Sequence, residues 1–220
     1  MNFFKSVSSS SGVIDPVHAL PGRDKPLKIS GRHLINGSSM KPPFPTEMET
    51  IIFGMGCFWG AEKRFWEVKG LKTTVVGYSG GKTDNPTYEE VCSGQTGHAE
   101  VVRIFYNPRF TSFENLMKVF WESHNPTQLN RQGNDIGPHY RSVIFYSDEN
   151  QKLDAESVLS NISSLFSKPI VTEISPLINF FPAEDYHHDY FTNNPRNPYC
   201  ITVVSPKISK TRAKYSNLYD

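Results

Sequence analysis

Thr50-Ile51-Ile52-Phe53, then Gly54-Met55-Gly56-Cys57-Phe58-Trp59-Gly60, then Ala61 to Val68 is the stretch on which the fold turns. The first four residues are apolar and β-prone and predict a buried strand. Gly54 to Gly60 predicts a tight connection, and Ala61 to Val68 predicts a helix. A strand feeding directly into a helix sets the pattern for the rest of the chain. Thr73 to Tyr78 is the next expected strand, closed by Gly80-Gly81. Asp84-Asn85-Pro86 is a helix start, because Asp or Asn caps and proline fits a first turn. Glu100 to Phe105 predicts a strand. Ser112 to Ser123 predicts an amphipathic helix with Phe113, Leu116, Met117 and Phe120 at helical spacing. Asn125 to Tyr140 is a long polar loop, and loops of that length inside a compact domain are usually functional. Ser142 to Tyr146 predicts a strand, and Asp148 caps a helix carrying Leu153, Val158, Leu159, Ile162 and Leu165. Ile170 to Ile174 and Cys200 to Val204 are expected as short strands. Strands alternating with helices imply an α/β or α+β sheet covered by helices.

The bulk numbers narrow the function. The chain has 220 residues, enough for one sizeable core without demanding a second. Its 23 Lys plus Arg against 22 Asp plus Glu leave a formal charge of +1, so no field draws it to nucleic acid or acidic lipid. No apolar run is long enough for a membrane span. Residues 1–48 are rich in Ser, Gly and Pro and predict a partly disordered leader continuing as an extended arm. Residues 49–212 then form the catalytic domain and residues 213–220 a tail. The start, Met1-Asn2-Phe3-Phe4-Lys5-Ser6-Val7, is a poor secretory signal and an incomplete mitochondrial one. Cytoplasm is the default location, with a mitochondrial pool open. No heptad seam predicts a coiled-coil partner, and a monomer is expected.

Three widely spaced cysteines, Cys57, Cys92 and Cys200, make neither a disulfide framework nor a paired zinc motif. Cys57 stands at a strand-to-helix turn, where unpaired backbone N–H groups and the helix dipole favour thiolate. The alternative for Cys57 is a small buried hydrophobe. Phe58 and Trp59 would wall the sulfur with apolar surface. Glu100, after Gly97-His98-Ala99, would keep its proton in an apolar pocket and donate it, or else be a solvated edge residue. Tyr88, Asp135 and Tyr140 stand in turn or loop settings, where tyrosine hydroxyls could bind a polar oxygen and Asp135 could simply hold a turn. Adjacent His187 and His188 diverge on a helix, and no His-Glu-x-x-His pattern occurs, so spacing gives no metal motif.

Taken in order, several strings resemble the methionine sulfoxide reductase A family. They are Gly56-Cys57-Phe58-Trp59-Gly60-Ala61-Glu62, Gly77-Tyr78-Ser79-Gly80-Gly81, Asn85-Pro86-Thr87-Tyr88 and Val91-Cys92-Ser93-Gly94. They continue through Thr96-Gly97-His98-Ala99-Glu100, Arg131-Gln132-Gly133-Asn134-Asp135, Tyr140-Arg141-Ser142 and Ala183-Glu184-Asp185-Tyr186-His187. The resemblance implies an α+β two-layer sandwich, a central mixed sheet with flanking helices and a ferredoxin-like core. It implies that Cys57 attacks the sulfur of a methionine S-sulfoxide, free or in oxidised proteins, while Glu100 protonates the oxygen. Tyr88 and Tyr140 would hold that oxygen, Asp135 would organise the substrate side, and Phe58 and Trp59 would receive the methyl group. Cys57 would be left as a sulfenic acid. No metal or organic cofactor is implied; the external reductant is thioredoxin or a small thiol. Cys200 is the favoured resolving thiol, Cys92 the other candidate, and direct reduction by an external thiol a third route. Two rivals remain: a cysteine hydrolase using His98 or His187 with Asp135, and a peptide-binding module with an aromatic groove.

Overall fold

The structure, a computed structural model, describes residues 18–219. The start of the expected leader, residues 1–17, lies outside them. Alternation of inward and outward side chains builds the centre. β1 (Glu49–Met55) pairs antiparallel with β3 (Ala99–Tyr106) on one side and with β6 (Ser142–Tyr146) on the other. β2 (Leu71–Ser79) joins β3, and β8 (Phe181–Pro182) joins β2, both antiparallel. β7 (Glu173–Pro176) runs parallel to β6, so the six-stranded sheet, ordered β7-β6-β1-β3-β2-β8, is mixed.

One face of this sheet carries Ile51, Phe53, Val102, Ile104 and Ile144, all fully buried under helices. These are α1 (Phe58–Phe65), α3 (Phe113–Ser123) and α4 (Glu149–Ile162). The period-2 pattern sends Ile52, Val101, Val143 and Phe145 to the opposite face. There the covering is Leu177 and Phe180 from a loop, and Met40 and Phe44 from the N-terminal arm over Val75 and Phe105. Helices on one face and irregular chain on the other make the α+β two-layer arrangement that the resemblance implied.

The arm is anchored at both ends by polar contacts. Arg23 forks onto the Glu90 carboxylate at 2.7 and 2.9 Å. Buried His33 bonds Thr74 Oγ1 at 2.8 Å and accepts Ile35 N–H at its other ring nitrogen, while Asp189 accepts Leu34 N–H at 2.7 Å and donates its backbone N–H to Glu62 Oε2 at 2.8 Å. This cluster ties the arm to α1 and to the segment leading into α5 (Tyr190–Asn193). At the other end of the chain Leu218 and Tyr219 are buried in the main core.

Several expected elements shift. The helix after Asp84 starts later: Asn85 adopts a left-handed φ of 47°, and Thr87 is the cap of α2 (Tyr88–Cys92), in a reciprocal capping box with Glu90. The strand expected over Ile170 to Ile174 begins at Glu173, where the chain first reaches the edge of β6. Asp148 does cap α4, but Leu153 and Leu165 are exposed. The long loop after α3 contains a small hairpin, β4 (Arg131–Gln132) and β5 (Asp135–Ile136), and a 3₁₀ turn over Pro138–Tyr140. The clearest correction is Cys200–Val204. It is a π-helical turn running into α6 (Ser205–Lys214), not a strand. Val204 packs over Gly60 of α1 while Ile201 stays exposed, and that tertiary contact overrides the strand preference of the β-branched run.

Candidate active site

The end of β1 sets the site. Gly56 has φ 90°, and a Cβ there would meet the Gln132 side chain at 2.7 Å, so only glycine makes this turn. Cys57 follows as the residue capping α1, with no side-chain cap bond of its own. The helix N-terminus therefore needs another acceptor, and Glu100 of β3 supplies it: Phe58 N–H donates to Glu100 Oε2 at 3.0 Å. The Trp59 backbone N–H lies on the Cys57 side of the helix end and favours the ionised sulfur.

Glu100 is 1 % exposed. Burial pushes its carboxyl up to about 8, the Phe58 N–H bond opposes this, and the charge of Asp135 adds to it. At neutral pH it therefore carries its proton. Cys57 departs from expectation. Burial first, then the Glu100 charge, push its thiol well above the usual range, and the Trp59 N–H and Tyr199 hydroxyl oppose that rise only partly. The helix dipole is outweighed by desolvation, and the resting group is a thiol, not the thiolate that its place in the chain suggests.

Around this pair the structure gathers the sequence-predicted residues. Phe58 is fully buried and forms a floor instead of an open wall, its ring 6.4 Å from Tyr88 and 5.0 Å from His187. Trp59 is partly exposed; it stacks on Tyr190 at 3.7 Å, and its indole N–H donates to His187 Nδ1 at 3.0 Å. That bond makes Nδ1 the acceptor, so the His187 ring is neutral; burial, then His188, lower its pKa to about 4. Glu184 accepts from the Tyr88 backbone N–H at 2.9 Å and from the Tyr78 hydroxyl at 2.8 Å, fixing the start of α2 beneath the pocket. Tyr88 and Tyr140 both stand within the field of Glu100, and burial with that charge raises both hydroxyls, keeping them as neutral donors. The Tyr88 hydroxyl lies beside the Cys92 sulfur.

On the opposite side Asp135 Oδ2 accepts from the Tyr199 hydroxyl at 2.6 Å, and that hydroxyl also contacts the Cys57 sulfur. Gln132, bonded to Asn125 through both ends of its amide at 3.1 and 3.2 Å, holds the hairpin that carries Asp135. Buried Arg64, one turn along α1 from Gly60, lines the cavity behind Cys57, and burial lowers its guanidinium to about 10. Beside Asp135 and Tyr199 a cleft of about 390 Å³ opens toward Val203 and Pro206. Cys57, Cys92 and Cys200 are all free thiols; Cys92 is exposed and Cys200 is buried next to Tyr199.

Tyr199, Tyr190 and Arg64 were not singled out for this site from sequence; Glu184 and His187 entered through the resemblance, and His187 also as the base of the hydrolase alternative. For Tyr199, the signal available was its place beside Cys200; Tyr190 and Arg64 are positioned by tertiary contacts. The histidines of the hydrolase alternative are committed elsewhere. His187 receives the Trp59 indole, and His98 receives Gly81 N–H at 3.0 Å while its other nitrogen meets Thr83 O at 2.7 Å. The groups acting on Cys57 are Glu100, Asp135, Tyr199 and the Trp59 N–H, with no imidazole base among them.

A family model described as peptide methionine sulfoxide reductase matches residues 49–218. The peptide methionine sulfoxide reductase MsrA of Azotobacter vinelandii is 50 % identical over 190 residues, covering 84 % of this chain and 88 % of that protein. The human mitochondrial peptide methionine sulfoxide reductase is 49 % identical, over 88 % of this chain and 83 % of that one. Among solved structures, methionine sulfoxide reductase A of Corynebacterium diphtheriae superposes with a TM-score of 0.79 at 37 % identity, covering 84 % of this chain and 92 % of that one. With this sheet, this site and these relatives, the chain belongs to the peptide methionine sulfoxide reductase family.

Proposed function

We propose that the chain reduces methionine S-sulfoxide to methionine, in oxidised proteins and as the free amino acid, with Cys57 as nucleophile and Glu100 as proton donor. The reading rests on one observation above the others: a buried, proton-bearing carboxyl held against the residue next to the thiol. A sulfoxide sulfur becomes electrophilic only when its oxygen is protonated or strongly hydrogen-bonded. Glu100 supplies the proton and Cys57 the electron pair. Tyr88 and Tyr140 orient the oxygen as neutral donors, Asp135 with Tyr199 shapes the substrate side, and Trp59 over the Phe58 floor receives the methyl group.

The step balances. The sulfoxide oxygen passes to the Cys57 sulfur, giving methionine and a sulfenic acid. The proton lent by Glu100 is replaced by the thiol proton that Cys57 loses. Cys200 then displaces water from the sulfenic acid to give a disulfide, which thioredoxin or a small thiol reduces. A π-helical turn holds Cys200, a feature that recurs at functional sites. Unwinding that turn carries Cys200 past Tyr199 toward Cys57. The protein works without a metal or organic cofactor, as a monomer in the reducing cytoplasm, with a mitochondrial pool as the alternative location. Among the described residues no helix is long and apolar enough to cross a membrane.

The test is methionine formation from the two separated epimers of a blocked methionine sulfoxide with dithiothreitol. Wild type should turn over the S epimer alone, and Cys57→Ser should turn over neither. Reductant-free multiple turnover on an ester would point to the hydrolase instead.

A further inference from the structure

Around the proton donor Glu100 the fold brings together three ligands from separate parts of the chain. A sulfur of Cys92, a carboxylate oxygen of Glu100 and a ring nitrogen of His139 all lie within 4.8 Å of one another. They arrive on separate elements: the end of α2, the start of β3, and the 3₁₀ turn before β6. Gly94, just past α2, approaches Pro138, so the two loops are packed side by side.

Two of the three carry unspent hydrogen-bonding capacity. Glu100 uses Oε2 for the Phe58 amide, which leaves Oε1 buried with no partner. His139 is 5 % exposed, and its Nδ1 is buried without a partner. Such atoms are costly unless something satisfies them. Cys92 is open to solvent, which gives an ion its way in.

The chemistry of this donor set is selective. A thiolate, an imidazole and a carboxylate suit zinc, cobalt or cadmium and not magnesium or calcium, which prefer oxygen alone. In a tetrahedral zinc site the donor atoms stand roughly 3.3–3.7 Å apart, given metal–ligand bonds of about 2.0–2.3 Å. Three donors already inside 4.8 Å need contract by about 1.5 Å at most. One thiolate, one carboxylate and a dication sum to a neutral group, so the buried site carries no uncompensated charge.

We propose that Cys92, Glu100 and His139 form a site for a thiophilic divalent cation of the zinc class, and that the bound ion reversibly switches off the reductase. The inference rests on the assignment of Glu100 as proton donor. Coordination holds that carboxylate ionised and occupied, so it has no proton to lend and the sulfoxide oxygen loses its place. The fourth metal position is left to water.

The experiment uses the full chain, reduced and then freed of thiols and metal. Cobalt(II) chloride should give thiolate-to-cobalt absorption saturating at one equivalent. The band should persist in Cys57→Ser, vanish in Cys92→Ser, and need more than about tenfold more cobalt in His139→Gln. In parallel, zinc chloride should suppress the single methionine formed per wild-type chain. His139→Gln should need more than about tenfold more zinc for the same suppression relative to its own metal-free turnover. A band that disappears in Cys57→Ser and survives in Cys92→Ser, no band in folded wild type, or equal zinc sensitivity of wild type and His139→Gln would each overturn the site. Failure of metal-free wild type to form methionine overturns the reductase reading instead, and leaves the cobalt result to judge binding by itself.

Discussion

The Phe58 amide and the Glu100 carboxylate are joined by a 3.0 Å hydrogen bond at the N-terminus of α1. This contact does two things at once. It satisfies a helix-end donor that Cys57 leaves unpaired, and it anchors the buried acid one residue from the thiol. Because the contact uses Oε2 alone, the other oxygen stays free for substrate.

Activity should depend on pH through this acid. The acid form of Glu100 is the competent one and is lost as pH rises through about 8. Single-turnover methionine formation should therefore be flat below neutrality and fall above about pH 8, and Glu100→Gln should be slower by about 10²–10⁴-fold. Stopped-flow or quench measurement across pH 6 to 10 checks this. A wild-type rate that climbs with pH would instead implicate a thiolate as the limiting species.

Stability responds to the same group. A carboxyl whose folded pKa lies above its unfolded value binds its proton more tightly when folded. Its stabilising effect is complete below about pH 4.5 and is lost as pH rises toward about 8. Glu100→Gln should match wild type near pH 5 and exceed it at pH 9 by a few kcal/mol at most, since a tenfold change in proton affinity is worth about 1.4 kcal/mol. Urea denaturation of both proteins at the two pH values reads the difference. Equal stability at pH 9 would mean that Glu100 ionises without penalty.

Gly56→Ala should destabilise the fold by about 2–4 kcal/mol, because φ 90° is strained for alanine and the new Cβ overlaps the Gln132 side chain at 2.7 Å. The midpoint of urea unfolding measures it. A loss near zero would mean that the hairpin carrying Gln132 yields freely.

The strand-turn-helix order around Cys57 was legible because it is local, in apolar residues, punctuating glycines and helix formers, although the helix expected over 61–68 runs three residues earlier, over Phe58–Phe65. Asp148 was legible as a cap for the same reason, and it accepts the Gln151 N–H three residues on. The features that were not legible depend on distant chain. Cys200 to Val204 looks like a strand by composition, yet it has no strand to pair with and packs on α1 as a helical turn. The Cys57 thiol was misjudged because the helix terminus is visible in sequence and the burial of the sulfur among Glu100, Asp135 and Tyr199 is not. Tyr199 itself meets Asp135 across 64 residues, a separation that spacing cannot suggest.

Tyr199→Phe tests that last contact. It removes the 2.6 Å bond to Asp135 and the hydroxyl beside the Cys57 sulfur. A hydrogen bond to a charged group contributes about 1.5–3 kcal/mol, so kcat/KM should fall by roughly 10- to 100-fold. An unchanged kcat/KM would leave Tyr199 as packing only.

His33→Ala should cost about 2–5 kcal/mol of stability, because it empties a fully buried side-chain volume and removes the bond to Thr74 that holds the arm. Thermal unfolding of both proteins measures it. Wild-type stability in this variant would show that the arm is held by Arg23 and its apolar contacts alone.

The central claim is that oxygen moves from substrate sulfur to Cys57. One turnover of the full chain carrying Cys92→Ser and Cys200→Ser, given a heavy-oxygen-labelled S-sulfoxide and no reductant, tests it most directly. Mass spectrometry should find one methionine per chain and the labelled oxygen on the Cys57 peptide as a sulfenic acid. Methionine formed without label on Cys57, or formed equally well by Cys57→Ser, would contradict the account.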